Sequence, residues 1–313
     1  MKNIVVVGSL NVDLVAYISR MPLEGETLTG HDFATFAGGK GANQAVAAAK
    51  LGGNVAMVGR LGKDGFGEQL RRALESAHVD ASCVMNVDQP TGSAVILVTK
   101  QGGNAIVVIP GANHALRPQD LESHINVFRD AAVILAQLEV PLETVMRLGE
   151  IAAEVGVPFV LDPAPAQALP ATLLRCVTWL TPNESETRSI LGHLGHPTDE
   201  DAQGNIAVAA AADRLLATGV RNVILKLGGR GIYLAGSDVT PTYVESYQVH
   251  AVDTTAAGDA FNGGFAYALT QGMVPVEAAR FGCAVAAVSV TRAGAQPSMP
   301  ALEEVDALMG SVI

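Results

Sequence analysis

The sequence predicts a doubly wound α/β fold, a mainly parallel sheet flanked by helices, and three observations lead there. Short β-branched runs alternate with longer alanine-rich segments of helical length through most of the chain. Two stretches, at about residues 12–36 and 91–109, interrupt that alternation with strand-like patterning of their own. Hydrophobic residues make up 49% of the 313 and charged residues only 16%, enough apolar side chains to cover a buried sheet on both faces.

The elements follow in order. Residues 4–7 read as a first buried strand. Asn11 and Asp13 end its apolar run too early for a secretory leader, and no small-residue cleavage site follows, so a cytoplasmic location is expected. Asn11 and Asp13 alternate on an extended segment, which points both side chains to one face. Helices are expected at 42–51 and 66–77, with a strand at 55–58 between them. Residues 93–99 and 105–109 alternate about Gln101-Gly102-Gly103-Asn104, the pattern of a hairpin. The two interruptions together predict a small β-sheet lid over a site. Beyond them come strands at 133–135, 158–161 and 222–227, and helices at 142–155, 201–218, 257–271 and 275–291. No repeat of 20–50 residues, low-complexity tract or linker divides the chain, so one domain over 1–313 is expected.

Charge narrows the function. Twenty basic against thirty-one acidic residues leave a net −11, with no Lys/Arg cluster to draw nucleic acid or an anionic membrane. No apolar run approaches the ~20 residues that span a bilayer. Cys83, Cys176 and Cys283 are an odd set without close spacing and read as reduced structural thiols. The chain has no Gly-x-x-x-x-Gly-Lys-Ser/Thr, no Gly-x-Ser-x-Gly, no His-Glu-x-x-His and no Cys-x-x-Cys. Val7-Gly8-Ser9 lacks the glycine pattern that opens a dinucleotide-binding helix. His193 and His196 lie among Gly and Pro and read as loop residues, since a zinc site needs a third and fourth ligand. A phosphorylated ligand would therefore be captured locally, by backbone N–H groups, a metal ion or a single lysine.

Two glycine-rich segments offer that capture. In Phe36-Ala37-Gly38-Gly39-Lys40-Gly41-Ala42-Asn43-Gln44-Ala45 the glycines let the backbone approach a ligand, and the helix that follows presents its first N–H groups. Lys40 and Asn43, three apart, project to the same side of that turn. In Asp253-Thr254-Thr255-Ala256-Ala257-Gly258-Asp259-Ala260-Phe261-Asn262-Gly263-Gly264, small residues clear the approach to a helix start where N–H groups can converge on an anion. Asp259 in that first turn is placed as a general base rather than as a mere dipole partner, because capping alone needs none of the preceding small residues.

These two blocks resemble the signature regions of the ribokinase-like (PfkB) carbohydrate kinases, and the resemblance extends over almost the whole chain. Gly8 to Asp13, Pro163-Ala164-Pro165, Thr181 to Glu186, Leu227 to Gly231 and Gly294 to Ser298 support it in order and spacing. It implies an ATP-dependent sugar kinase, with ribose phosphorylated at its 5-hydroxyl as the foremost reaction. Deoxyribose, fructose, a nucleoside or a phosphorylated sugar are the neighbouring substrates, and a non-catalytic sugar sensor is the remote alternative. Asp259 would be the base, and the backbone of Ala256, Ala257 and Gly258 the anion hole. Asn11, Asp13, Gly39, Lys40, Asn43, Glu139 and Asp259 would hold the sugar. Asn183, Glu186, Lys226, Gly228, Gly231 and Gly258 would hold the nucleotide, with Mg²⁺ near the Asn-x-x-Glu element. Asp253, Thr255, Ser289, Arg292, Gly294 and Ser298 would surround an activating K⁺. Cys283 departs from the Asn or His that such kinases often carry near the adenine. Lid strands with open edges favour a homodimer.

Overall fold

The computed structural model describes residues 3–199 and 204–310. Strand β1 (Asn3–Val7) enters the core, β2 (Asn11–Ile18) and β3 (Asp32–Gly38) leave it, and α1 (Lys40–Lys50) returns. There follow β4 (Val55–Gly62), α2 (Gly65–Ser76), β5 (Asp80–Val87), β6 (Gly92–Thr99) and β7 (Asn104–Ile109). The middle of the chain carries α3 (Pro118–Glu122), α4 (Ile125–Arg129), β8 (Ala131–Ala136), α5 (Leu142–Val155), β9 (Phe159–Leu161), α6 (Ala171–Leu174) and β10 (Trp179–Leu180). The last part holds α7 (Glu184–His193), α8 (Val208–Leu216), β11 (Asn222–Lys226), β12 (Ile232–Gly236), β13 (Thr242–Val244), α9 (Ala257–Thr270), α10 (Pro275–Ser289) and α11 (Leu302–Gly310).

Nine strands form one sheet in the order β13-β12-β11-β10-β9-β8-β1-β4-β5. Pairing is parallel from β5 to β11, and β12 and β13 close one edge antiparallel. The alternation of β1 shows why both faces are covered: Ile4 and Val6 pack with α1, α9 and α10, whereas Val5 and Val7 pack with α5 and α8. The expected fold class is the one found, a doubly wound and mainly parallel sheet with a small second one.

That second sheet has the order β3-β2-β6-β7 and is built from the two stretches that broke the α/β alternation. Asn11, Asp13 and Val15 pair with Gly92, Ala94 and Ile96, so alternate residues of β2 and β6 share a face. The entry to β6 is pinned to the main body. Asp64, the N-cap of α2, accepts hydrogen bonds from Gly67 N–H (2.8 Å), Thr91 N–H (2.8 Å) and the Thr91 hydroxyl (2.6 Å).

Several expectations are corrected. Helix 201–218 is shorter: its first residues lie outside the described ones, residues 204–207 are not helical, and α8 begins at Val208. Residues 191–193 continue α7 instead of forming a loop, and His193 Nδ1 hydrogen-bonds the Ser189 carbonyl oxygen at 2.7 Å. The first helix begins at Lys40, two residues early, because Gly39 turns the chain with φ 89° and a side chain there would collide with Ser9, Leu10 and Asn11 backbone.

Candidate active site

Five parallel strands end at one cavity of about 660 Å³, which polar residues at or beyond their carboxyl ends line. Asn11 and Asp13 are the first and third residues of β2, the strand that follows β1; Glu139 follows β8, Asp162 follows β9, Asn183 follows β10, and Lys226 ends β11. The starts of α1 and α9 close the floor, and Ala94, Ile96, Ile106 and Val108 of the small sheet form an apolar roof.

The floor is a network around Asp259, which is buried in the first turn of α9. Asn43 Nδ2 donates to one of its carboxylate oxygens and Gln44 Nε2 to the other, each at 3.0 Å. Gln44 Nε2 also donates to Asp162 at 3.0 Å, and Gln137 Nε2 donates to Gln44 Oε1 at 2.7 Å. Burial pushes the Asp259 pKa up to about 6; the Lys40 ammonium opposes this and the Asp162 carboxylate adds to it. Asp13 is also raised to about 6, by burial and then by Glu139, against the pull of Lys40. Burial works against the Lys40 ammonium, yet the carboxylates of Asp259, Glu139, Asp162 and Glu186 around it hold its pKa above the usual range.

Donors and acceptors remain for a ligand. Asn43 Oδ1 is buried without a partner among the described residues, an acceptor suited to a hydroxyl proton. Glu139 accepts from the Ser9 hydroxyl (2.5 Å) and from Lys40 N–H (3.1 Å), so it caps α1 while facing the cavity. At α9, Ala256 sits in the left-handed region (φ 59°) and turns the chain into the helix. Ala257 N–H is taken by the Thr254 carbonyl at 3.2 Å, whereas Gly258 and Asp259 N–H have no backbone partner among the described residues and open on the cavity. The three small residues anticipated as one group thus differ: Ala257 N–H is already bonded within the turn, whereas Ala256 and Gly258 N–H have no backbone partner among the described residues.

The other end of the cavity carries the expected nucleotide residues. Lys226 Nζ bonds Asp162 at 3.0 Å and lies beside Gly258, where a Cβ would meet it at 3.2 Å. Asn183 caps α7 with Glu186: Asn183 Oδ1 accepts from Glu186 N–H at 2.8 Å, and Glu186 accepts from Asn183 N–H at 2.7 Å. Burial raises the Glu186 pKa, and Lys226 opposes it. Gly228, Gly231 and Thr255 line this end, as do Cys283, Ala286 and Val290. Burial pushes the Cys283 thiol up to about 12, so it offers an apolar wall and not a thiolate.

Asp253, Ser289, Arg292, Gly294 and Ser298 lie outside the cavity lining. Asp253 ties its own turn to the later loop, accepting from Thr255 N–H (2.9 Å), the Thr255 hydroxyl (2.6 Å) and Gly294 N–H (2.8 Å). Burial alone would raise its pKa, but these bonds hold it low. Val252 and Asp253 N–H both reach the Val290 carbonyl, next to Ser289. The Arg292 guanidinium pairs with Glu304 through its terminal nitrogens, and its Nε is buried without a partner among the described residues. The residues missed from sequence are Asp162, Gln44 and Gln137. A carboxylate one residue past a buried strand was the available signal for Asp162.

A buried aspartate beside free helix-start N–H groups, facing polar side chains and a lysine, defines a phosphotransferase site at the carboxyl edge of an α/β sheet. The comparisons agree. The chain belongs to the pfkB family of carbohydrate kinases, whose model matches residues 1–302. It is 39% identical over 307 residues to a ribokinase of Haemophilus influenzae, covering 97% of both chains. It is 38% identical over 304 residues to a deoxyribokinase of Salmonella typhi, covering 96% of this chain and 97% of the other. The structure of Arabidopsis thaliana ribokinase complexed with ribose and ATP superposes with a TM-score of 0.91 at 35% identity, covering 98% of each.

Proposed function

We propose that this chain phosphorylates D-ribose at its 5-hydroxyl with ATP, giving ribose 5-phosphate and ADP. The observation that carries the reading is the single cavity in which Asp259 and the Gly258 N–H face Asn11, Asp13, Lys40 and Asn43. Asp259 would accept the hydroxyl proton as the oxygen attacks the γ-phosphorus and ADP departs with the bonding pair. The Gly258 and Asp259 N–H groups and Lys226 would meet the charge on the transferring phosphoryl oxygens. Asn11, Asp13, Gly39, Lys40, Asn43 and Glu139 would orient the sugar. Gly228 and Gly231 would border the nucleotide, with its base against Cys283, Ala286 and Val290.

Among the described residues no group of three or more His, Cys, Asp or Glu is arranged to hold a metal ion. That fits Mg²⁺ carried by the nucleotide phosphates and water, with Glu186 reaching it through water and Asn183 holding Glu186 in place. Such an ion supplies charge neutralisation on the phosphates. Asp253, Thr255 and Gly294 are tied together by hydrogen bonds and Asp253 is kept ionised there; with the backbone carbonyls of Ser289, Arg292 and Ser298 they would offer oxygen ligands. That donor set fits a monovalent cation such as K⁺, which would stiffen the turn leading into α9.

Deoxyribose is the second reading, favoured by the near-equal identity to a deoxyribokinase. The polar lining at Asn11 and Asp13 argues for the more hydroxylated sugar, since a buried polar group left unpaired rejects the analogue. A cytoplasmic location is proposed with ATP as donor and with Cys83, Cys176 and Cys283 unpaired; among the described residues no helix is long and apolar enough to cross a membrane. The deciding experiment is ADP release from ATP, Mg²⁺ and K⁺ across ribose, deoxyribose, fructose and nucleosides. Selective turnover of ribose is expected. Silence across the panel from folded protein overturns the function.

A further inference from the structure

The small sheet joins the body near a residue that neither the motifs nor the chemistry above has used. Asn113 lies in the turn just after β7 and is 1% exposed. Its Oδ1 accepts from the backbone N–H of Leu10 at 2.9 Å, and its Nδ2 donates to the Leu10 carbonyl at 3.1 Å. A backbone N–H can only donate and a carbonyl can only accept, so these two bonds fix which end of the Asn113 amide is which. Asn113 Nδ2 also donates to Asn11 Oδ1 at 2.7 Å. Asn11 must therefore turn its oxygen away from the ligand. Its Nδ2 has no hydrogen-bond partner among the described residues, and the side chain lines the cavity.

Glycine 92 makes room for this arrangement. A Cβ at Gly92 would overlap both Asn113 Nδ2 and Asn11 Oδ1. The packing of three chain segments (β2, β6 and the turn after β7) is thus built around one amide-to-amide bond.

We infer that Asn113 is a positioning residue that sets the hydrogen-bond polarity of Asn11, so that the site offers the sugar an N–H donor there and a carboxylate acceptor at Asp13. The inference rests on the reading of Asn11 as a sugar contact. The order matters because an amide free to rotate presents donor and acceptor alike, and one locked donor discriminates between ligand oxygens.

The test is a double-mutant cycle with ribose and ATP as varied substrates. Asn113→Ala is expected to raise KM for ribose about tenfold, the loss of about one hydrogen bond, with KM for ATP within about twofold. Asn113→Ala added to Asn11→Ala is expected to raise KM for ribose no further. Full additivity, or an equal rise in KM for ATP, would mean a purely structural role and overturns the inference. If Asn11→Ala leaves KM for ribose unchanged while turnover persists, the inference also fails, and the fault lies in the Asn11 assignment and not in the kinase reading. Should Asn113→Ala not fold, the wild-type chain labelled with ¹⁵N-asparagine decides. Ribose is expected to shift the side-chain NH₂ signal that Asn11→Ala removes, and an unmoved signal overturns the inference.

Discussion

In the proposed reaction Asp259 would take the proton, and its surroundings make that behaviour testable. A carboxyl raised to about 6 must ionise before it can take a proton, so kcat/KM is expected to fall as pH drops below about 6. Asp13 is raised to the same region; a limb that persists in Asp13→Asn belongs to Asp259. Lys40 lowers the Asp259 pKa, so Lys40→Met is expected to move that limb to higher pH, and an unmoved or lowered limb would contradict the electrostatics described. Asp259→Asn is expected to fold and bind ribose while kcat falls about 10²- to 10⁴-fold. Calorimetry and ADP release read the two effects separately. Stability follows the same group with a definite sign. Its folded pKa lies above the ordinary value, so the fold favours the neutral acid. That contribution is whole below about pH 4 and is lost as pH rises through about 6, on the order of 3 kcal/mol. The Tm difference between Asp259→Asn and wild type is therefore expected to shift in favour of the variant between pH 4 and pH 7.5. The glycine-rich segments announced this aspartate in the sequence. Gln44, which bridges it to Asp162, was hidden because a glutamine in an alanine-rich helix has no distinguishing pattern until its neighbours across the fold are known.

At the scale of elements, the site depends on how closely α1 and α9 approach. A Cβ on Gly263 would meet Ala47 Cβ at 2.6 Å and the Gln44 carbonyl at 2.8 Å, so the two helices touch backbone to backbone there. Gly263→Ala is expected to cost about 1–3 kcal/mol in urea unfolding and to lower kcat as well, since it pushes Asp259 away from Asn43 and Gln44. A loss of stability with kcat intact would separate packing from positioning. The longest helices on both faces and five of the parallel strands were legible from their period, whereas β5, α7 and α11 were not anticipated. The short ones were not: β10 has two residues and β13 three, lengths that carry no alternation to read. The start of α8 was misplaced because residues 204–207 are rich in small and polar types yet lack the spacing of a helix face.

For the whole molecule, the lid is the distinctive part, and its exposed outer surface supports a second copy of the chain as partner. Phe33 is 60% and Val107 63% exposed, and β3 and β7 are both open edges. Sedimentation is expected to give twice the mass of one chain, and Val107→Lys to shift it toward one. A single-chain mass for wild type at micromolar concentration would count against the dimer. The lid was visible in the sequence as a break in the α/β rhythm. Its anchoring was not, because Thr91 on Asp64 is a contact between distant segments. The small sheet is joined to the body through the beginnings of β2 and β6 and the ends of β3 and β7. An arm of eight residues is ~26 Å long, so a rotation of about 10° at those crossings carries the Gln101–Gly103 turn through ~4–5 Å. The sheet is geared like a lever, and a spectroscopic label on that turn would read out, magnified, a small rotation at its pivot.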